Sequence, residues 1–193
     1  EGDSSRQRDS SRQREPSRRG DGASGSQQQK IYLMDIRGGE ARELFAHETS
    51  ISSFQWSPDG AFIAFRATDP ESDDDEDRQE IGRDINVEDE PGRSSHLWVL
   101  DAESGEARRV TEGDGFTVGP FDWHPDGSRL TFSATPSDRP MDSWKSDVYV
   151  VSVDDAGATP MKLTDNPGPD ANPQWSPDGR HLYYSGQLTD RYQ

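Results

Sequence analysis

The sequence predicts an all-β fold of repeated antiparallel hairpins, and three observations predict it. From Lys30 onward, short apolar alternations are separated by Gly, Pro and Asp; helical periodicity is nowhere sustained; and one hairpin motif recurs three times. The strand candidates, in order, are 30–36, 42–46, 52–56, 61–67, 96–101, 107–111, 119–123, 128–134, 147–153, 160–164, 172–175 and 180–185.

The recurring segments run from Phe54 to Phe65 (FQWSPDGAFIAF), Phe121 to Phe132 (FDWHPDGSRLTF) and Pro173 to Tyr184 (PQWSPDGRHLYY). Each reads as a strand, a tight turn and a second strand. Pro58, Pro125 and Pro177 preset the φ of a type I turn, Asp59, Asp126 and Asp178 suit its next position, and Gly60, Gly127 and Gly179 accept positive φ. Just before each turn, Trp56, Trp123 and Trp175 are expected to bury a large ring between sheets. A second strand pair follows each of the first two hairpins, 97–101 with 107–111 and 148–152 with 160–164, and residues 31–35 and 42–45 look like the same pair. Four strands per repeat is the content of a β-propeller blade. The expected architecture is therefore a β-propeller fragment: half a blade, two complete four-stranded blades, and part of a fourth. Blades stacked side by side leave apolar faces bare where a neighbour is absent, and a start at Glu1 with an end just after a strand reads as an excised piece.

Composition divides the chain. Only 28% of the 193 residues are apolar and the mean hydropathy is -1.09, so part of the chain is expected to stay outside any core. Residues 1–29 are that part, a disordered polar arm or linker containing the near-repeat DSSRQR at 3–8 and 9–14; the partial propeller is expected over 30–193. Acidic residues interleave the arm's arginines and no aromatic offers a stacking platform, so an RNA-binding arm is disfavoured. The whole chain carries 38 acidic against 21 basic residues, a balance that excludes counterion-displacing nucleic-acid binding. There is no Cys, which excludes disulfides, thiolate metal sites and a Cys nucleophile. No apolar run is long enough to span a bilayer as a helix, so no membrane insertion is expected.

The repeats resemble the Trp-Ser-Pro-Asp-Gly repeats of TolB-type propellers and of the propeller domain of prolyl oligopeptidase-family serine peptidases, especially members like acylaminoacyl peptidase and dipeptidyl peptidase. Three features favour the peptidases. The intervals Trp56 to Trp123 and Trp123 to Trp175 are 67 and 52 residues, uneven and longer than a compact blade of roughly 40–45. The excess in the first is an acidic insertion loop at 69–95, where those peptidases often carry one. The phrases SDVYVV (146–151) and LTDNPGPD (163–170) also read like that family's propeller. The resemblance implies a C-terminal α/β-hydrolase domain, absent from this chain, whose Ser, Asp and His triad hydrolyses peptides while the propeller gates their access. It implies peptide substrates reached through that domain, and a serine peptidase as the parent. The alternative is a TolB-like propeller acting as a protein–protein interaction module; a sugar- or lipid-related enzyme with its site on a propeller has no residue support. Many such relatives carry leaders and the arm resembles a post-leader spacer, so the compartment leans to periplasmic or secreted, and is otherwise cytoplasmic.

Catalytic, cofactor-binding and metal-ligating residues are assigned to none. A nucleophile elbow needs Gly-x-Ser-x-Gly, and Gly22 to Ser26 (GASGS) lacks the final Gly. The acidic run Asp73 to Asp77 lacks the spacing and Gly of a Ca²⁺ loop, and reads as a solvated insertion. His47, His96, His124 and His181 are widely spaced, with no metal-binding pair. Asp59, Asp126 and Asp178 repeat, yet the turn explains each. Trp144, in the connection 136–146, is a candidate partner contact because it stands outside the repeat.

Overall fold

Among the described residues, twelve strands form four antiparallel sheets in chain order. The computed structural model describes residues 28–70, 93–113, 115–155 and 157–187. The polar arm expected over 1–29 falls almost wholly outside the described residues, as does the acidic insertion between its two ends, including the run Asp73 to Asp77. Strands β1 (Gln29–Leu33) and β2 (Arg42–His47) make a two-stranded sheet. Strands β3 (Ile51–Trp56), β4 (Phe62–Thr68), β5 (Ser95–Asp101) and β6 (Ala107–Arg109) pair in that order as a meander. The next four, β7 (Thr117–Trp123), β8 (Arg129–Thr135), β9 (Asp147–Ser152) and β10 (Met161–Lys162), repeat the arrangement. Strands β11 (Asp170–Trp175) and β12 (Leu182–Gly186) begin it again. The described chain is thus two complete propeller blades between two half blades, β1–β2 standing in the third and fourth positions and β11–β12 in the first and second.

Alternation along the middle strands of the first complete blade places apolar side chains on both of its faces. Ile63, Phe65, Ala67 and Leu100 face the β1–β2 sheet, where Ile31, Leu44 and Phe45 complete one cluster. Ala64, Leu97 and Val99 face the opposite way and pack with Val118, Trp123, Leu130, Phe132, Ala134 and Val151 of the second blade. Phe116, Phe132 and Tyr149 stack at centroid distances of 5.7–6.2 Å within this second cluster. The core therefore lies between blades rather than within one sheet, as sheet-on-sheet packing requires.

Strand ends differ from expectation where a side chain replaces a ladder bond. The fourth strand of each complete blade stops before Thr111 and Thr164, whose hydroxyls accept from the backbone N–H groups of Leu97 and Val148, both at 3.0 Å. The first strand closes at Leu33 because Asp35 captures the following turn, accepting from the Arg37 backbone and guanidinium at 2.9 and 3.1 Å. A 3₁₀ helix, Pro140–Lys145, fills the connection from β8 to β9 and has no counterpart among the predicted elements.

Burial of the three repeat tryptophans departs from the uniform expectation. Trp123 is 4% exposed and donates its indole N–H to the Gln55 carbonyl of the preceding blade, whereas Trp56 is 43% exposed. Trp175 lies between these, with its N–H on the Thr131 hydroxyl of the blade before it at 2.9 Å. Trp123 and Trp175 therefore each reach back onto the inner strands of the preceding blade. Trp56 has no such partner among the described residues, where the sheet before it pairs only β1 with β2.

Phe132→Ala, which empties the inter-blade cluster, should destabilise the fold by about 3–5 kcal/mol in urea denaturation. Phe54→Ala, at a side chain 63% exposed, should change stability by no more than about 0.5 kcal/mol. Comparable losses for the two would contradict this placement of the core.

Candidate functional site

The three repeat turns lie at one end of the blades and share a hydrogen-bonded plan. Gly60, Gly127 and Gly179 adopt φ of 74°, 75° and 67°. In the first and third turns the Ser57 and Ser176 hydroxyls donate to Asp59 and Asp178 at 2.6 and 2.5 Å and accept from the Phe62 and His181 backbone N–H groups. The same two carboxylates also accept from the backbone N–H groups of Ala61 and Arg180. The hydroxyl bond, then the backbone bond, hold both carboxyls below the usual carboxylate range. In the second turn His124 replaces the serine, and Asp126 instead accepts from the Ser128 hydroxyl at 2.6 Å and the Ser128 backbone at 2.9 Å. Those two bonds, supplemented by the His124 ring, depress the Asp126 pKa furthest.

His124 also joins this turn to the next blade. Its Nδ1 lies 2.7 Å from Asp126, and its ring meets Trp175 edge-on at 4.5 Å. The Asp126 backbone N–H donates to Nδ1 at 3.2 Å, and the Arg129 guanidinium lies 3.2 Å from Nε2. The Gly179 carbonyl lies as close to Nε2, at 3.2 Å. A Cβ on Gly179 would stand 2.8 Å from that same Nε2, so glycine there satisfies a close approach as well as a positive φ.

The innermost strands present a different surface. Residues 53–55 of β3, 120–122 of β7 and 172–174 of β11 line one open cavity of about 380 Å³, on the first strands of the blades, the side where a propeller's central channel lies. Asp122 ties the three strands together: the Gln55 side-chain amide donates to one carboxylate oxygen at 3.1 Å, and the Trp175 backbone N–H donates to the other at 2.7 Å. Sequence reasoning passes over Asp122, although its signal is present: the residue between the first position of the repeat and Trp is polar in every copy, Gln55, Asp122 and Gln174.

At the end opposite the turns, a second concavity of about 420 Å³ opens beside the channel, and Arg66 lines both. A β-bulge interrupts each innermost strand, at Ile51/Ser53, Val118/Phe121 and Ala171/Gln174. Such bulges re-aim side chains. The first sets the Ser52 hydroxyl 2.7 Å from Arg66 Nε, and the carbonyl of Val118, beside the second, accepts from Arg66 Nη1 at 3.3 Å. Gly119 within the second bulge has no room for a Cβ, which would fall 2.8 Å from the Ser133 hydroxyl. The wall is completed by Ser95, Thr117, Ser137, Ser146 and Arg139, the residue preceding the 3₁₀ helix. Trp144, the candidate partner contact by its isolation in the sequence, is half-buried on that helix with the Lys145 ammonium 5.2 Å from its ring centre. These walls offer hydroxyls, carbonyls, carboxylates and guanidinium groups, which can hydrogen-bond a polar ligand; neither includes a histidine among the described residues.

Because the folded pKa of Asp126 is depressed, its stabilisation is complete above the ordinary carboxylate pKa of about 3.9 and is lost as pH falls towards the folded value. Asp126→Asn should therefore lower Tm at pH 7, and the gap from the parent should narrow in scans below about pH 4; a gap constant with pH would refute the assignment. Gly60→Ala, in open space at positive φ, should cost about 1–2 kcal/mol. Gly179→Ala should cost more, and His124→Ala in the same chain should recover part of the excess in a double-mutant cycle.

Comparison with known proteins agrees with this architecture. Residues 84–189 match the family described as the dipeptidyl peptidase IV (DPP IV) N-terminal region. The chain is 28% identical over 139 residues to an uncharacterised peptidase of Bacillus subtilis (strain 168), YuxL, covering 72% of this chain and 18% of that protein. Among solved structures it is similar to the acylaminoacyl peptidase of Pyrococcus horikoshii, with a TM-score of 0.58 at 17% identity over 86% of this chain and 25% of that one. It is also similar to TolB from Acinetobacter baumannii, with a TM-score of 0.53 at 17% identity over 81% of this chain and 32% of that one. The chain thus spans well under half the length of each of these relatives. With strands, repeat turns and matched residues in agreement, the chain belongs to the dipeptidyl peptidase IV N-terminal region family.

Proposed function

We propose that this chain is the propeller portion of a serine peptidase, and that it restricts access of peptides to a C-terminal α/β-hydrolase domain lying outside these residues. The observation that carries the reading is the family match over residues 84–189, which covers the second blade, whose inner strand β7 lines the channel. The channel wall supports it physically. Bulged strands, exposed Phe54 and the amide and carboxylate side chains of Gln55, Gln174 and Asp122 suit transient contact with an extended peptide. The arrangement of roles is a division of labour: the hydrolase domain supplies nucleophile, base and oxyanion donors, and the blades exclude folded chains and admit short ones.

A second reading is a TolB-like interaction propeller, favoured by the likeness to TolB at a TM-score of 0.53. The two readings separate in one assay on the intact protein carrying these residues. Under the peptidase reading it hydrolyses short aminoacyl and acylaminoacyl chromogenic substrates, spares folded proteins, and loses both activity and label capacity after a serine-directed fluorophosphonate. An intact protein that takes no fluorophosphonate label and hydrolyses none of these substrates would overturn the peptidase reading and leave the interaction module.

A further inference from the structure

We propose that Arg66, with Arg139 in the same concavity, anchors a carboxylate group of a bound peptide where the loop-side cavity meets the central channel. The inference rests on the reading of the chain as a peptide-handling propeller and adds what the site recognises. Arg66 is the residue common to both cavities beside Pro120, and the only charged one, so a group held by it touches the channel on one side and the loop-side pocket on the other.

Its guanidinium is positioned by neutral acceptors, the Ser52 hydroxyl at 2.7 Å and the Val118 carbonyl at 3.3 Å. No carboxylate among the described residues lies within ion-pairing distance of it. Burial lowers the Arg66 pKa, the direction expected of a cation desolvated without a counter-charge, yet an arginine remains protonated throughout the physiological range.

A second guanidinium leaves donor capacity unused in the same wall. Arg139 Nε is buried and donates to no acceptor among the described residues. The carboxylates nearby are otherwise engaged or turned outward. Asp122 is held by Gln55 and Trp175, Asp142 by the Lys145 ammonium and the Ser137 hydroxyl at 2.7 and 2.6 Å with the Arg139 charge acting on it from further off, and Asp138 is exposed at the rim. A planar fork with free donors, lined by hydroxyls and shielded from water on one side, matches a carboxylate better than an amine or an apolar group. The two bulges that fix Ser52 and Val118 hold the fork in place before the ligand arrives, so little ordering remains to be done on binding.

The test is calorimetric titration of the intact protein with three matched short peptides: a free C-terminal acid, its C-terminal amide, and an amide carrying an internal Glu, with peptide integrity checked by mass spectrometry. At least one of the two carboxylate-bearing peptides should bind about tenfold to hundredfold more tightly than the plain amide. Arg66→Gln should erase that preference, and Arg66→Lys should restore part of it. Tight binding of the Glu-bearing amide would assign the anchored carboxylate to a side chain; tight binding of the free acid alone would assign it to the peptide terminus. Should Arg66→Gln fail to fold, excess acetate should compete with the preferred peptide and leave binding of the plain amide unchanged. Equal affinity for all three peptides, a preference that survives Arg66→Gln in a folded variant, or indifference to acetate would each overturn the proposal. Because binding is read without turnover, a carboxylate preference in a protein that hydrolyses nothing would keep the anchor and discard the peptidase reading.

Discussion

The first complete blade is a thin sheet that is apolar on both faces, and much of the structure follows from the need to cover both. The middle strands β4 and β5 point Ile63, Phe65 and Leu100 one way and Ala64, Leu97 and Val99 the other. A single four-stranded sheet with that pattern has no inside, so it acquires one only by stacking between neighbours. The indole of the repeat tryptophan serves the same constraint from the sheet edge. It covers the inner strands of the preceding blade and finds its hydrogen-bond acceptor there, as a buried indole N–H must. The exposure of Trp56 is the informative exception: the sheet before it pairs only β1 with β2 among the described residues, and the indole has no acceptor there.

Stacking also shapes the surface that handles ligands. Because the first strands of successive blades converge on the channel, their polar side chains meet across the blade boundary, and Asp122 satisfies an amide from one blade and a backbone donor from the next. The bulge in β3 leaves Ser52 out of register, and its hydroxyl, with the Val118 carbonyl at the border of the bulge in β7, meets Arg66. At the opposite end, His124 uses an analogous economy, substituting an imidazole for the turn serine so that one side chain contacts both its own Asp126 and the next blade's Trp175 and Gly179.

Much of this is legible in the sequence, for reasons that differ by element. The twelve strands are readable because period-two alternation and the Pro, Asp and Gly of the turns are local signals, and the described ladders fall on the expected segments. The family follows from the repeated motif. The 3₁₀ helix at 140–145 is not readable, since six residues give no usable periodicity. Arg66 and Asp122 escape notice because each looks ordinary along the chain, a charged residue near a strand end and an acid before a tryptophan. Their roles arise from contacts 14 to 67 residues away. Trp56 misleads because burial depends on the preceding blade, which the motif itself does not encode. His124 reads as a turn residue, and its reach to Gly179 across the blade boundary has no counterpart in the local pattern.

Hydrogen–deuterium exchange on the 193-residue chain tests the central claim, that a blade is stabilised by cover on both faces. The amides of β4, β5 and β8, whose strands are the most continuously buried, should exchange slowest and together, while β1 and β12 exchange several orders of magnitude faster, as frayed outer elements do. Uniform protection across all four sheets, or fast exchange in β4 and β5 while β12 stays protected, would contradict the account.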